Sequence, residues 1–184
     1  MEIATQYINL PLDDIEAEIN TSLMKLAEFV RADRVYTFAY DFDKQICNNT
    51  REWCAAGIAP QINELQAVPL AAVADWVKAH QCGDSIYVPD VLSLPSGGLR
   101  DILEPQGIKS LLAVPLMNRN ECIGFVGFDS VQLQHNYSDK EQQLLLVFAQ
   151  MLVNVEQRKQ IEDALRVSEE RLKQLAEQSP SPGK

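Results

Sequence analysis

Two apolar stretches constrain this chain more than anything else in it. They are IKSLLAVPLMN (residues 108–118) and ECIGFVGFDSV (121–131), joined by the polar turn NRNE. Each is strand-sized and nearly continuous in its hydrophobicity, without the polar alternation of a half-exposed strand. Such strands belong at the centre of a sheet that is covered on both faces. Neither stretch approaches the ~20 residues that a membrane-spanning helix needs.

The flanking segments supply the cover. LDDIEAEINTSLMKLAEFVRA (12–32) places Ile15, Ile19, Leu23, Leu26, Phe29 and Val30 on one face at helical spacing. Pro11 precedes it, and Asp13, Asp14 and Glu16 suit the positive end of its dipole. RVYTFAYDFD then alternates, with Tyr36, Phe38, Tyr40 and Phe42 opposite Val35, Thr37 and Ala39, which predicts a strand. After the turn DFDK, ICNNTREWCAA returns as the second arm of a hairpin. GIAPQINELQAVP reads as loop. LAAVADWVKAHQ reads as a short helix burying Val73, Trp76 and Val77, and SIYVPDV as a short strand stopped by Pro89. LSLPSGGLRDILEPQG is turn-rich, with one helical turn near Leu99 to Leu103. In YSDKEQQLLLVFAQMLVNV, Ser138 and Glu141 have capping-box spacing, with Tyr137 placed as a staple. The order is α-β-β-α-β-loop-β-β-α, an α+β fold with an antiparallel sheet and helices at both ends.

Composition excludes several functions. The net charge of −10 and the lack of any basic stripe oppose nucleic acid and anionic lipid, whose phosphates need clustered Lys and Arg. Cys47, Cys54, Cys82 and Cys122 form no CxxC pair, and His80 and His135 have no ligand spacing with them. No metal site is expected, and the thiols are expected free in a reducing compartment. The acidic N-terminus has no signal-peptide core, so the expected location is cytoplasmic.

ADRVYTFAYDFD, EWCAAGIAPQ, QGIKSLLAVPL, CIGFVGFDS and YSDKE, in this order, resemble the GAF domain, the small sensory fold of signalling proteins. The pair Gly107-Ile108 before SLLAVPL, followed by IGFVGFDS, carries most of the likeness. Glu52-Trp53 and the GI-PQ loop resemble a subgroup joined to PAS, histidine-kinase or GGDEF output domains. The resemblance implies a sheet of five to six strands with the terminal helices on one face. On the other face, loops and short helices would enclose a small-molecule pocket. It divides the chain into a flank (1–11), a sensory domain (12–154) and a coiled-coil linker (155–184) leading to a downstream PAS-like domain. Bilin-binding members carry a cysteine, usually beside a histidine, after the third strand. LSLPSGGLRDILEPQG has neither, so no covalent tetrapyrrole is expected. The cyclic-nucleotide signature is absent too, and the ligand is left unassigned.

Candidate pocket residues are Tyr36, Trp53, Trp76, Tyr87, Asp90, Arg100, Glu104 and Ser110, aromatic walls with a few convergent polar groups. The competing expectation makes Trp53 and Trp76 plain core, Asp90 a turn former and Arg100–Glu104 an exposed i,i+4 pair. Catalysis would need a base beside a nucleophile, and only His80 and Cys82 are close in sequence. The free methionine-sulfoxide reductases use GAF-fold cysteines, in a loop pattern these four do not match. No catalytic residue is expected.

From Ser138 the helical pattern runs to about Gln178, roughly 60 Å. Leu144, Val147, Met151, Asn154, Arg158, Ile161, Leu165, Ser168, Leu172 and Leu175 follow steps of three and four, a heptad stripe. A sustained 3.5 period predicts a left-handed supercoil with a second helix, most simply that of another copy. Asn154, Arg158 and Ser168 put polar layers into that seam, and Glu162–Arg166 and Glu169–Lys173 would support each helix. The alternatives are a ligand-free dimerisation spacer and a solvated helix without a partner.

Overall fold

The computed structural model describes residues 11–178. The N-terminal flank up to residue 10 and the closing SPSPGK (179–184) lie outside the described residues. Helix α1 (Leu12–Val30) is followed by β1 (Arg34–Asp41), β2 (Ile46–Cys54) and a short β3 (Val68–Pro69). A 3-10 turn (Leu70–Val73) leads into α2 (Ala74–Gln81), then β4 (Ile86–Val88). Helix α3 (Leu99–Leu103), β5 (Ser110–Asn118), β6 (Glu121–Ser130) and α4 (Asp139–Gln178) complete the chain. The one element not foreseen is β3, two residues that pair with Ile46 and Cys47 inside the expected loop.

The strands form a six-stranded sheet in the order β3-β2-β1-β6-β5-β4. β6 lies between β1 and β5, antiparallel to both, with Tyr36 opposite Gly127 and Leu112 opposite Phe128. Both faces of the central strands are covered, as their continuous hydrophobicity required. Leu112, Val114, Val126 and Phe128 turn to α1 and α4, while Leu111, Ala113 and Phe125 turn to the opposite face. On the helical side, Ile15, Ile19, Leu23, Leu26 and Val30 pack against Leu145, Phe148, Leu152 and Val155. Full burial of each such side chain contributes ~1.5–3 kcal/mol. Phe29 departs from the expected buried face: it is 75% exposed.

The start of α4 closes as its sequence indicates. Glu141 Oε2 accepts the Ser138 amide at 2.7 Å, and Ser138 Oγ accepts the Glu141 amide at 3.4 Å. Tyr137 is not a staple to the helix, because its N4 position is Gln142. Its ring instead stacks on Phe128 at 5.8 Å, and its hydroxyl meets Ser130 Oγ at 2.7 Å.

The heptad stripe divides in two. Met151 is buried in the domain's own core, so it is not available to a partner as expected, while Leu144 is half-buried against that core. Val147, Ile161, Leu165, Leu172 and Leu175 are 58–68% exposed, and Asn154 and Ser168 are exposed as well. Arg158 is half-buried and pairs with Glu162 at 2.8 Å. That takes Glu162 from its expected partner Arg166, which sits between Asp163 and Glu170 at 3.6 Å each.

Candidate functional site

The site lies on the sheet face away from α1 and α4, and glycines in β6 make room for it. A Cβ at Gly127 would stand 2.6 Å from the Tyr36 ring and hydroxyl, and one at Gly124 only 2.0 Å from the Phe38 carbonyl oxygen. With nothing at 127, Tyr36 lies across β6, and its hydroxyl donates to Asp129 Oδ1 at 2.8 Å. Phe38 stacks on Phe125 with centroids 4.7 Å apart.

Three connections roof this face. Glu52 Oε2 accepts the amides of Gln61 (2.7 Å) and Ile62 (3.0 Å), which pins the GIAPQ loop to β2. Glu52 Oε1 accepts from Asn49 Nδ2 at 3.3 Å. Helix α2 brings Trp76 to 5.5 Å from Phe125 and buries His80 beneath it. His80 Nδ1 accepts from Trp76 Nε1 at 3.1 Å and lies 2.8 Å from the Tyr40 hydroxyl, so the proton of the neutral ring sits on Nε2. Gly107, at φ 72°, turns the chain so that Ile108 enters the core under α3.

These elements enclose a cavity of about 70 Å³. Its walls are apolar, with Phe38, Val73, Trp76, Leu103, Ile108 and Phe125 among them, and its polar lining is Tyr36, Asn49, Glu52, Gln106 and Asp129. Room for several waters or a ligand of a handful of heavy atoms results. Behind Asp129, the buried Arg34 Nε stands 3.3 Å from Oδ2, and Arg34 Nη2 donates to the Gln106 carbonyl at 3.2 Å. Burial still outweighs that guanidinium and pushes Asp129 up to about 6. The Tyr36 hydroxyl is held well above its ordinary value by burial and by Asp129. Burial lowers His80 to about 4.

Two of the eight expected pocket residues, Tyr36 and Trp76, line the cavity. The other six do not. Trp53 pairs with Val35 and packs on the helical side of the sheet, because the bulge at Thr50, where the β1–β2 register shifts, reverses the alternation that Cys47 and Asn49 follow. Tyr87 is 41% exposed with its ring edge against Tyr137. Ser110 is buried away from the cavity, its Oγ accepting the His135 amide at 2.9 Å. Asp90 caps a turn through the Leu92 amide, and Arg100 bonds Glu104 at 2.8 Å and the Leu92 carbonyl at 3.1 Å. Sequence reasoning missed Asn49, Glu52, Gln106 and Asp129. For Asp129 a signal existed: Phe125, Gly127 and Asp129 share one face of β6, opposite Tyr36 and Phe38 of β1.

All four cysteines are free thiols. Burial pushes Cys47 up to about 11 and, with Glu52 nearby, Cys54 up to about 12. His80 is fully buried whereas Cys82 is exposed. Among the described residues no group of His, Cys, Asp and Glu has the arrangement to hold a metal ion, and no helix is long and apolar enough to cross a membrane.

A six-stranded antiparallel sheet with the terminal helices on one face and a roofed cavity on the other defines the class of fold. The GAF domain family matches residues 14–155, and the chain belongs to that family. A curated relative, the methanogenesis regulatory histidine kinase FilI of Methanothrix harundinacea, is 34% identical over 150 residues. That match covers 79% of this chain but only 17% of the relative's length. Among solved structures, GAF3 of Slr1393 from Synechocystis superposes with a TM-score of 0.71 at 17% identity, covering 84% of this chain and 99% of that one. The GAF domain of a phosphoenolpyruvate-protein phosphotransferase from Coxiella burnetii gives 0.68 at 16% identity, covering 89% and 93%. At these identities the structures share the fold alone.

Proposed function

We propose that this chain is a regulatory, non-enzymatic sensing module of a multidomain signal-transduction protein of the histidine kinase or diguanylate cyclase type. It works in the cytoplasm as a homodimer joined through α4, with no nucleic-acid or membrane contact of its own, and residues 155–184 lead towards a PAS-like or output domain. The cavity takes a small molecule, and its occupancy changes the packing of α4.

One observation carries this reading: β6 serves the cavity and the helix at once. Phe125 and Asp129 line the cavity, while Val126 and Phe128, interleaved with them, pack in the core that holds α4. Ser130 then meets Tyr137 at the head of α4. Beyond Val155, α4 leaves the core with Ile161, Leu165, Leu172 and Leu175 exposed. An isolated helix with that much apolar surface is marginal in water, so a second copy of the same stripe is the simplest partner. Four apolar side chains from each copy, at ~1.5–3 kcal/mol apiece, meet association costs of ~4–15 kcal/mol. The seam is therefore soft enough for a ligand to bias.

Native mass spectrometry of the purified chain and thermal unfolding across a small-metabolite set test the reading. A ligand that raises the melting temperature should also change the dimer dissociation constant, by about 5–150-fold for coupling of ordinary size. Absence of any stabilising ligand would leave a dimerisation spacer in its place.

A further inference from the structure

The polar end of the cavity carries two carboxylates and an unmade acceptor but no cation, and that imbalance names a ligand class. Asn49 is 3% exposed, and its Oδ1 is a buried acceptor with no partner. Its Nδ2 already donates to Glu52, which fixes which amide atom is left over. Among the other lining donors the Tyr36 hydroxyl and Trp76 Nε1–H are committed, to Asp129 and His80, and Gln106 Nε2 gives one of its two hydrogens to the Ile102 carbonyl at 2.8 Å. Two carboxylates line the cavity, and no Lys, Arg or His does. Arg34 offsets Asp129 from behind, but Glu52 meets amide N–H groups and the Cys54 thiol rather than a cation. A buried acceptor left unmade is destabilising, and a ligand donor would recover that loss. A ligand carboxylate or phosphate would face two like charges without a cation of its own.

We infer that the cavity takes a small organic cation, a primary amine on a compact apolar body, with its ammonium at Asn49 Oδ1 beside Glu52 and Asp129. The apolar body lies between Trp76 and the stacked Phe38–Phe125 pair, whose ring faces also favour a cation. This assignment rests on the sensing reading of the same cavity and adds the chemistry of what is sensed.

Isothermal titration of the unaltered chain with 3-methylbutylamine, 3-methylbutanol and 3-methylbutanoate separates the two claims. The three probes share one body and differ in the head. The amine should bind at least about tenfold more tightly than the alcohol, a gap of ~1.4 kcal/mol, and the carboxylate should not bind. Asn49→Leu, shown folded by circular dichroism, should lose that preference. Equal or tighter binding of the alcohol or the carboxylate overturns the amine assignment and leaves a sensing cavity standing. No heat with any probe also overturns it, while the metabolite screen decides sensing independently.

Discussion

His80 and Asp129 give the domain two buried titrations of opposite sign, and their difference can be measured. In the fold, burial lowers His80 from its ordinary 6.5 to about 4. Its contribution is intact above the unfolded value and is lost as pH falls through 6.5 towards 4. Burial raises Asp129 from its ordinary 3.8 to about 6. The folded state therefore favours its protonated form, and stability rises as pH falls through 6 towards 3.8. Between pH 7 and pH 5, His80 removes about 2 kcal/mol and Asp129 returns about 1 kcal/mol. The lowered carboxyls of Glu16, Asp41 and Glu141 titrate mainly below this window.

Urea unfolding at both pH values, on three chains, reads the two groups separately. The unaltered chain should change by under ~1 kcal/mol, because the contributions oppose. His80→Gln should be about 1 kcal/mol more stable at pH 5 than at pH 7, with only Asp129 titrating. Asp129→Asn should be about 2 kcal/mol less stable at pH 5. Both variants carry a constant penalty from broken hydrogen bonds, and Asp129→Asn also strands Arg34, but comparing one chain with itself cancels that. The same pH difference in all three chains would refute the buried-titration argument, and His80→Gln suffices if Asp129→Asn does not fold.

Gly124→Ala drives a Cβ onto the Phe38 carbonyl oxygen, a backbone atom that cannot swing aside. Urea unfolding should show a loss of about 3 kcal/mol or more, and an unchanged midpoint would contradict the close β1–β6 approach. Glu52→Ala strips the acceptor from the Gln61 and Ile62 amides, which should exchange hydrogen faster. Its stability cost should be ~1.5–3 kcal/mol, and unchanged protection at both amides would show that the loop is held by something else.

Much of this architecture is legible because periodicity reports burial. The continuous hydrophobicity of Leu111 to Leu116 requires cover on both faces, and both faces are covered. The Ser138–Glu141 spacing sets the start of α4, since a capping box depends only on local geometry. The cavity was less legible because its members meet through register. Trp53 looks like a wall residue, and plain alternation from Asn49 would make it one, yet a bulge at Thr50 that no local pattern announces turns it to the helical side. Asn49 and Glu52 come from β2 and Gln106 from the turn after α3, two segments whose meeting no local pattern encodes. Glu52 is instructive: the residues beside GIAPQ matter because a carboxylate holds that loop by its amides. Met151 fits the heptad numerically, but the domain core claims it first.

Sedimentation equilibrium tests the central claim, that two sensory heads are joined through the exposed stripe of α4. The unaltered chain should associate to a dimer in the micromolar range, and Leu165→Asp with Leu172→Asp should sediment as single chains with heads that melt as before. Single chains of the unaltered protein at high concentration, or variants that dimerise just as well, would contradict it.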